Sequence, residues 1–537
     1  QNGTIKAGGE ASLQAISNSY ERLADKTAQI DVSGKVEGAT VNIASTAVNY
    51  FVDSSMLTVK NIIVTGVGVT GLQLDADYAS LTNKASVNIN EGAVITATSV
   101  PTDGSNALNI SAGAGATESL GSSSSWIRFM RAFGSGSTSV PETSVTVLKS
   151  DNTADVTING TLLSQGKANI KAAAESYVDT DASVGVDVDF TESSSLAMAA
   201  VNVINVTNNA TVTVGDKANL NNVSNVQNLN GALTISADTK NTISSTAGTY
   251  GDTGNFLGTA VNVLNYDSAA KVNVNTSIVA PSVSITANNI VPSNTMMTSN
   301  TMSDFKYGSF TELFLQSDKF KSLVTGRFGN LKVEDADNLA TQLKNYATAG
   351  VSVGVANENF TAQVDVGTKG NIIGKNASNT PGDVTIGATA DIEDTAMATK
   401  GSLSADKNST QKVGIEAAVQ VANIHNTANV TMAGGSTAEH GRVMGKDVKV
   451  TSAATMEYQR PTKMVQGIID AAKAIAQKFK ASTPEEQTDL NTLNSYITDL
   501  ENIQNTMSKM DYNADDLEAQ GGTMGKEYDN FLSKCGD

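Results

Sequence analysis

Five stretches of fifteen residues align along this chain without a gap. They are SVTVLKSDNTADVTI at 144–158, AVNVINVTNNATVTV at 200–214, AVNVLNYDSAAKVNV at 260–274, SVGVANENFTAQVDV at 352–366 and AVQVANIHNTANVTM at 418–432. A unit that recurs in this way must stack on copies of itself, which restricts the chain to repeat architectures. Position eleven is alanine in every copy: Ala154, Ala210, Ala270, Ala362 and Ala428. Position six is asparagine in four copies (Asn205, Asn265, Asn357 and Asn423), with Lys149 in the other. Positions two, four, thirteen and fifteen are apolar throughout. The constant positions are those of a wall and the varying ones are polar. A repeated catalytic motif would vary the other way.

Apolar residues alternate with polar ones inside each copy, which is the period of a β-strand. Val201 and Val203 share one face of a first strand, and Val212 and Val214 share one face of a second. The Asn, Asp, Thr and Ser residues between them read as a turn, because such side chains bond their own backbone. On this reading each copy is two inward-facing strands and a corner, with the constant alanine marking a crowded place. A further strand follows each copy: NIKAAA at 169–174, LTISA at 233–237, VSITA at 283–287, VTIGA at 384–388 and VKVTSA at 448–453. TVNIA at 40–44 and LNISAG at 108–113 look alike, and AVNYFVDSSMLTVKN at 47–61 reads as a decayed sixth copy.

The copies start 56, 60, 92 and 66 residues apart. The pattern predicts a mainly β chain, a right-handed parallel β-helix with a repeat of about 60 residues spanning two or three coils. Coils of roughly 20–25 residues would then build a rod on the order of 80–100 Å long. A ladder of position-six asparagines would satisfy buried turn amides. Serial β-sandwiches are the alternative, but the Asn-Gly hairpin turns they favour are scarce.

The expected organisation is a β-solenoid over 1–302 with a short helical excursion at 122–137, then a helical insertion over 303–347. The solenoid continues over 348–460, and a C-terminal α-helical hairpin over 461–537 forms either a cap or a lateral excursion. Thr483 and Pro484 mark the start of the second helix of that hairpin, and Glu486 closes a capping box.

Composition fits a thin core. Only 17% of residues are charged and 5% aromatic, with a single cysteine, Cys535, and two histidines. One cysteine excludes an internal disulfide framework. A net charge of −18 argues against nucleic acid and anionic membranes as partners. The opening QNGTIKAGGE has neither the basic region nor the apolar run of a signal peptide, so the chain reads as a mature form or a piece of something longer.

The motif AVNVINVTNNATVTV followed by LTISAD resembles the repeats of very large secreted bacterial adhesins. These include filamentous haemagglutinin-like and leukotoxin-like filamentous adhesins of Gram-negative anaerobes. The resemblance implies a right-handed parallel β-helix at the cell surface, exported with an outer-membrane secretion partner. It also implies attachment to a host-cell or bacterial surface protein or glycan.

Chemistry-bearing constellations are few. GVGVTG at 66–71 fits the glycine spacing of a dinucleotide site, yet the alternating LQLDADY follows where a helix would be needed. His425 and His440 lack zinc spacing, and the histidine count excludes most Ser-His-Asp and Cys-His schemes. The pairs Asp75 with Asp77 and Asp179 with Asp181 read as solvated faces. Asp187 and Asp189 in VGVDVDF share a face and are the candidates for calcium. Trp126, Phe129 and Phe133 on the 122–137 helix are candidates for contact with a partner or with the solenoid wall. No catalytic residue and no cofactor is expected. An adhesive rod is the leading function; a polysaccharide lyase or glycosidase on a β-helix and a leukotoxin-like toxin segment are the alternatives.

Overall fold

The protein is described by a computed structural model. It describes residues 3–52, 73–121, 142–182, 184–185, 196–220, 222–223, 226–250, 256–301, 348–401, 415–434, 441–458 and 484–508, together with Ile469, Lys473 and Ala476. The fold is a parallel β-helix with three walls.

The fifteen-residue copies all lie in one wall, the copy wall. Its strands are Leu23–Val32, Gln73–Ile89, Glu142–Ile158, Leu196–Val214, Phe256–Val274, Thr348–Val366 and Ile415–Met432. Opposite stands a facing wall stacked from eight strands, Glu10–Ser19, Thr40–Val52, Leu108–Gly121, Ala168–Asp181, Leu233–Tyr250, Val283–Thr301, Val384–Gly401 and Val448–Tyr458, with the two-residue strand Val184–Gly185 also paired to Leu233–Tyr250. A narrow wall of strands three or four residues long, such as Thr161–Ser164 and Ser277–Ala280, closes one edge. Its two short sheets are joined by parallel bridges from Thr161 to Asn219 and from Leu220 to Ile278. Pairing is parallel throughout all three walls.

The copies pair in the register in which they align by sequence: Ala200 with Ala260, Asn205 with Asn265, Ala210 with Ala270. One repeat is therefore one coil, not two or three. Strands of 17 to 19 residues make walls nearly 60 Å wide at about 3.3 Å per residue. Eight facing-wall strands at about 4.8 Å stand only about 35 Å high. The solenoid is a broad, flattened block, shorter than the slender rod expected from coils of 20–25 residues.

Each copy is also one uninterrupted strand. In Phe256–Val274 the buried residues are Gly258, Ala260, Asn262, Leu264, Tyr266, Ser268, Ala270, Val272 and Val274, every second position. Positions two and four, such as Val201, Val203, Val261 and Val263, point outward, half-buried; positions thirteen and fifteen point in. The polar middle is not a corner, because its inward members find hydrogen-bond partners inside the solenoid. The facing-wall strands begin at the short motifs found in the sequence. The stretch 47–61 is no copy, since its described part, through Val52, belongs to the facing wall. The missing copies are Asp75–Ile89, with Ala85 at position eleven, and the strand Leu23–Val32, with Ala28 there.

The alanine row accordingly has seven members, from Ala28 through Ala85, Ala154, Ala210, Ala270 and Ala362 to Ala428. The facing wall has its own row of small residues, with Ser45, Ala112, Ala172, Ala237, Ala287, Ala388 and Ser452 in register. Serines near the two ends reach across the interior: Ser45 Oγ donates to the Ala28 carbonyl at 2.7 Å, and Ser452 Oγ to the Ala428 carbonyl at 2.6 Å. The walls approach closely here, which explains the alanine.

Between this pinch and the narrow wall lies an aliphatic layer, with Val272, Val274, Ile278, Val283 and Ile285 at one level. On the other side of the pinch, buried amides cross-link the walls. Asn241 Nδ2 donates to Asn289 Oδ1 at 2.9 Å and to Ser268 Oγ at 3.0 Å, while Asn208 Nδ2 donates to Asn241 Oδ1 at 2.6 Å. A second apolar layer contains Leu264, Tyr266 and Phe360. Beyond it Ser245 Oγ donates to Asn262 Oδ1 at 2.6 Å.

The undescribed stretches 53–72, 122–141, 186–195, 302–347 and 402–414 all lead from the end of a facing-wall strand to the start of a copy-wall strand. The expected helices at 122–137 and 303–347 lie outside the described residues. At the C-terminus an α-helix spans Pro484–Ser508, starting where Thr483 and Pro484 predict. Leu493, Ile497 and Leu500 are buried on its apolar stripe, and Ile469, Lys473 and Ala476 are helical. The Lys473 ammonium pairs with Glu501 at 2.7 Å.

Leucine in place of Ala210 puts three more carbons into the pinch, where every neighbouring level holds a small residue. Ala210→Leu is expected to lower stability by about 1–3 kcal/mol or more. Chemical denaturation of the variant beside the parent chain measures the loss.

Candidate functional site

The outer face of the copy wall carries the groups available to a partner. Position six contributes a ladder in which each amide donates to its predecessor: Asn265 Nδ2 to Asn205 Oδ1 at 2.9 Å, Asn357 to Asn265 at 3.1 Å, and Asn423 to Asn357 at 3.2 Å. The sequence expected this ladder in a buried turn. It stands outside, in mid-strand, because position six has the opposite parity to the inward alanine of position eleven.

Position eight forms a second row with Asp151, Thr207, Asp267, Asn359 and His425. Asn359 Nδ2 donates to Asp267 Oδ1 at 3.0 Å. His425, expected in a variable turn, lies within the strand Ile415–Met432. The two rows bound an open groove of about 580 Å³ that crosses five strands, with the main chain of position seven as its floor. Lys149 and Asp151 close one end, their charges 3.7 Å apart, and Asn423 and His425 stand at the other. Beside the ladder, position four supplies an apolar row: Val147, Val203, Val263, Val355 and Val421, the last 45% exposed.

Beneath the groove lies chemistry that the sequence reading missed. The inward side chains of position seven are Ser150, Val206, Tyr266, Glu358 and Ile424. Glu358 is buried, and Asn294 Nδ2 donates to its Oε2 at 2.6 Å. Across the interior, Glu118 of the facing wall is 0% exposed, and neither of its carboxyl oxygens has a hydrogen-bond partner. Burial pushes the Glu118 carboxyl up to about 8; the nearby Ser150 hydroxyl, which does not reach hydrogen-bonding geometry with either oxygen, opposes this only in small part. Burial likewise pushes Glu358 up to about 7, opposed by the Asn294 amide. The buried Tyr266 phenol is raised, first by desolvation and then by the charges of Glu118 and Glu358. Parity was the signal for these groups, since position seven faces the same way as the constant alanine.

Of the residues singled out in the sequence, the four asparagines and five alanines are brought into continuous rows. Asp187, Asp189, Trp126, Phe129, Phe133 and His440 lie outside the described residues, as does the 66–71 glycine motif. Asp77 is half-buried and accepts a bond from Arg22 at 3.2 Å. Asp179 is half-buried and Asp181 is buried at 3% exposure, so that pair is not a solvated face. Among the described residues no group of three or more His, Cys, Asp or Glu side chains is placed to hold a metal ion.

Comparison of the chain with protein-family models, curated proteins and solved structures finds no match.

Two predictions follow from this geometry. The folded chain keeps its Glu118 proton up to about pH 8, whereas the unfolded chain releases it near 4.5. Between those values the folded state binds more protons, so stability falls as pH rises through the window and levels off above it. The slope is about 1.4 kcal/mol per pH unit for each such carboxyl. Glu118→Gln is expected to raise the thermal midpoint at pH 8 and to flatten its dependence between pH 5 and 8. In the ladder, Asn265→Ala removes two outward bonds and is expected to cost about 1 kcal/mol by denaturant titration.

Proposed function

We propose that this chain is an adhesive segment of an extracellular bacterial surface protein, and that the copy wall's outer face is its contact surface. The observation that carries this reading is the set of outward rows repeated in register from coil to coil. They give a broad, stiff face with one polar groove and an apolar row alongside. A surface built this way makes many weak contacts at once, which suits attachment better than turnover. The resemblance of the copies to repeats of filamentous adhesins supports the same reading. A net charge of −18 directs it toward neutral or basic partners.

Beads coated with the whole chain, mixed with epithelial cells or with neighbouring bacteria, test the proposal. Saturable adherence, competed by free chain and at least several-fold above albumin-coated beads, is expected. Adherence no greater than that of the albumin control for every cell type would sink it.

A further inference from the structure

We infer that the groove between the asparagine ladder and the position-eight row binds an extended, neutral, β-linked polysaccharide, one sugar ring per coil. The inference rests on the attachment reading for its biological setting, but its physical basis is independent.

The first argument is spacing. Both rims of the groove repeat once per coil, at about 4.8 Å. A ligand that engages five coils must repeat its polar groups at nearly that interval. An extended peptide advances about 3.3 Å per residue and returns a side chain to the same face only every second residue, so it falls out of step within two coils. A flat β-linked sugar chain presents one ring, with its hydroxyls, over a length comparable to one coil.

The second argument is hydrogen-bonding capacity. An asparagine side chain offers two N–H donors and one oxygen with two lone pairs. In mid-ladder, Asn265 and Asn357 each spend one donor and one acceptor site on their neighbours. One donor and one acceptor per coil therefore remain directed outward. Hydroxyls both donate and accept, so a sugar matches this pattern at every level. The ladder also fixes the amides before binding, which reduces the ordering cost of association.

Charge and shape narrow the class. Asp151 and Asp267 stand on one rim, and the Lys149 ammonium at the groove's end faces Asp151 at 3.7 Å. Phosphorylated or sulfated chains would meet two carboxylates and a single ammonium that already faces Asp151. The row from Val147 to Val421 runs beyond the ladder, outside the groove, so a sugar ring seated in the groove meets the two polar rims and the main chain of position seven.

Titration of the whole chain with cellohexaose, mannohexaose and chitohexaose by calorimetry tests the inference. At least one is expected to bind saturably. Its affinity should rise with each added sugar up to about five and then level off, because five strands line the groove. Maltohexaose, whose α-linkages coil the chain, should bind at least tenfold more weakly. Thr207→Arg places a long side chain in the groove from an outward position and leaves the ladder intact. It should lower affinity at least tenfold with an unchanged thermal midpoint. The inference is overturned by no saturable binding of the three sugars, by equal binding of maltohexaose, or by unchanged binding to the folded Thr207→Arg chain. Tighter binding of an extended uncharged hexapeptide would overturn it too. Adherence of coated beads separates the two readings. Adherence that neither the sugars nor Thr207→Arg reduces leaves the attachment reading standing and removes this one. Sugar binding without adherence does the reverse.

Discussion

Two broad walls of parallel strands must keep one separation along the whole height of the solenoid. In-register backbone pairing locks each coil to the next, so no single level can spread to admit a larger side chain without straining its neighbours. The alanine row sets that separation at the pinch. Ala28 through Ala428 face a row of alanines and serines, and the serine-to-carbonyl bonds at Ser45 and Ser452 cross directly from wall to wall. The low aromatic content of the chain follows from this constraint. Phe360 and Tyr266, with ring centroids 5.7 Å apart, are buried in the second apolar layer, away from the pinch.

The interior is not apolar throughout where copy-wall strands of 17 to 19 residues face facing-wall strands of up to 18 or 19. The middle of each strand is filled by short amides and hydroxyls that bond across the gap. Asn208, Asn241 and Asn289 do so at one depth, and Asn202 and Asn262 at another. An amide spanning two walls holds their registers together, which an aliphatic contact does not. Glu118 and Glu358 occupy the same zone without full partnering, and this makes them sites of stored pH dependence. Because burial raises both, the solenoid gains stability as the medium becomes more acidic, until its outward carboxylates begin to lose their own ion pairs such as Asp216 with Lys369.

The parallel β-helix, the facing-wall strands and the start of the C-terminal helix were legible because gapless copies and cap residues are local patterns. The middle of each copy was misread for a physical reason. Val201 and Val212 sit at even and odd positions, so a continuous strand must put them on opposite faces. Asn, Ser, Thr and Asp between them suggested a turn that would bring them back together. The same residues suit a solenoid strand, since each amide finds an identical neighbour one coil away. Composition alone does not separate the two cases; the parity of the constant alanine does. The buried carboxyls stayed hidden because position seven changes from Ser150 to Val206, Tyr266, Glu358 and Ile424. The Asp75–Ile89 strand escaped because Ala76 and Tyr78 stand where the copies have valines, and Leu23–Val32 escaped because it begins only at position six.

In-register stacking also explains why a site on this fold is a row rather than a pocket. An outward residue at a given position is repeated one coil above and one below, so any depression beside it becomes a groove running across the strands. Such a groove favours ligands that are themselves periodic, and its affinity is built from rungs of similar, modest strength. Exchanging one rung, as Lys149 replaces asparagine at one end of the ladder, changes the end of the row without altering its spacing. The five copies accordingly hold rows fixed on both faces, the inward alanine of position eleven and the outward valines of positions two and four, while inward position seven ranges from Ser150 to Tyr266 and Glu358.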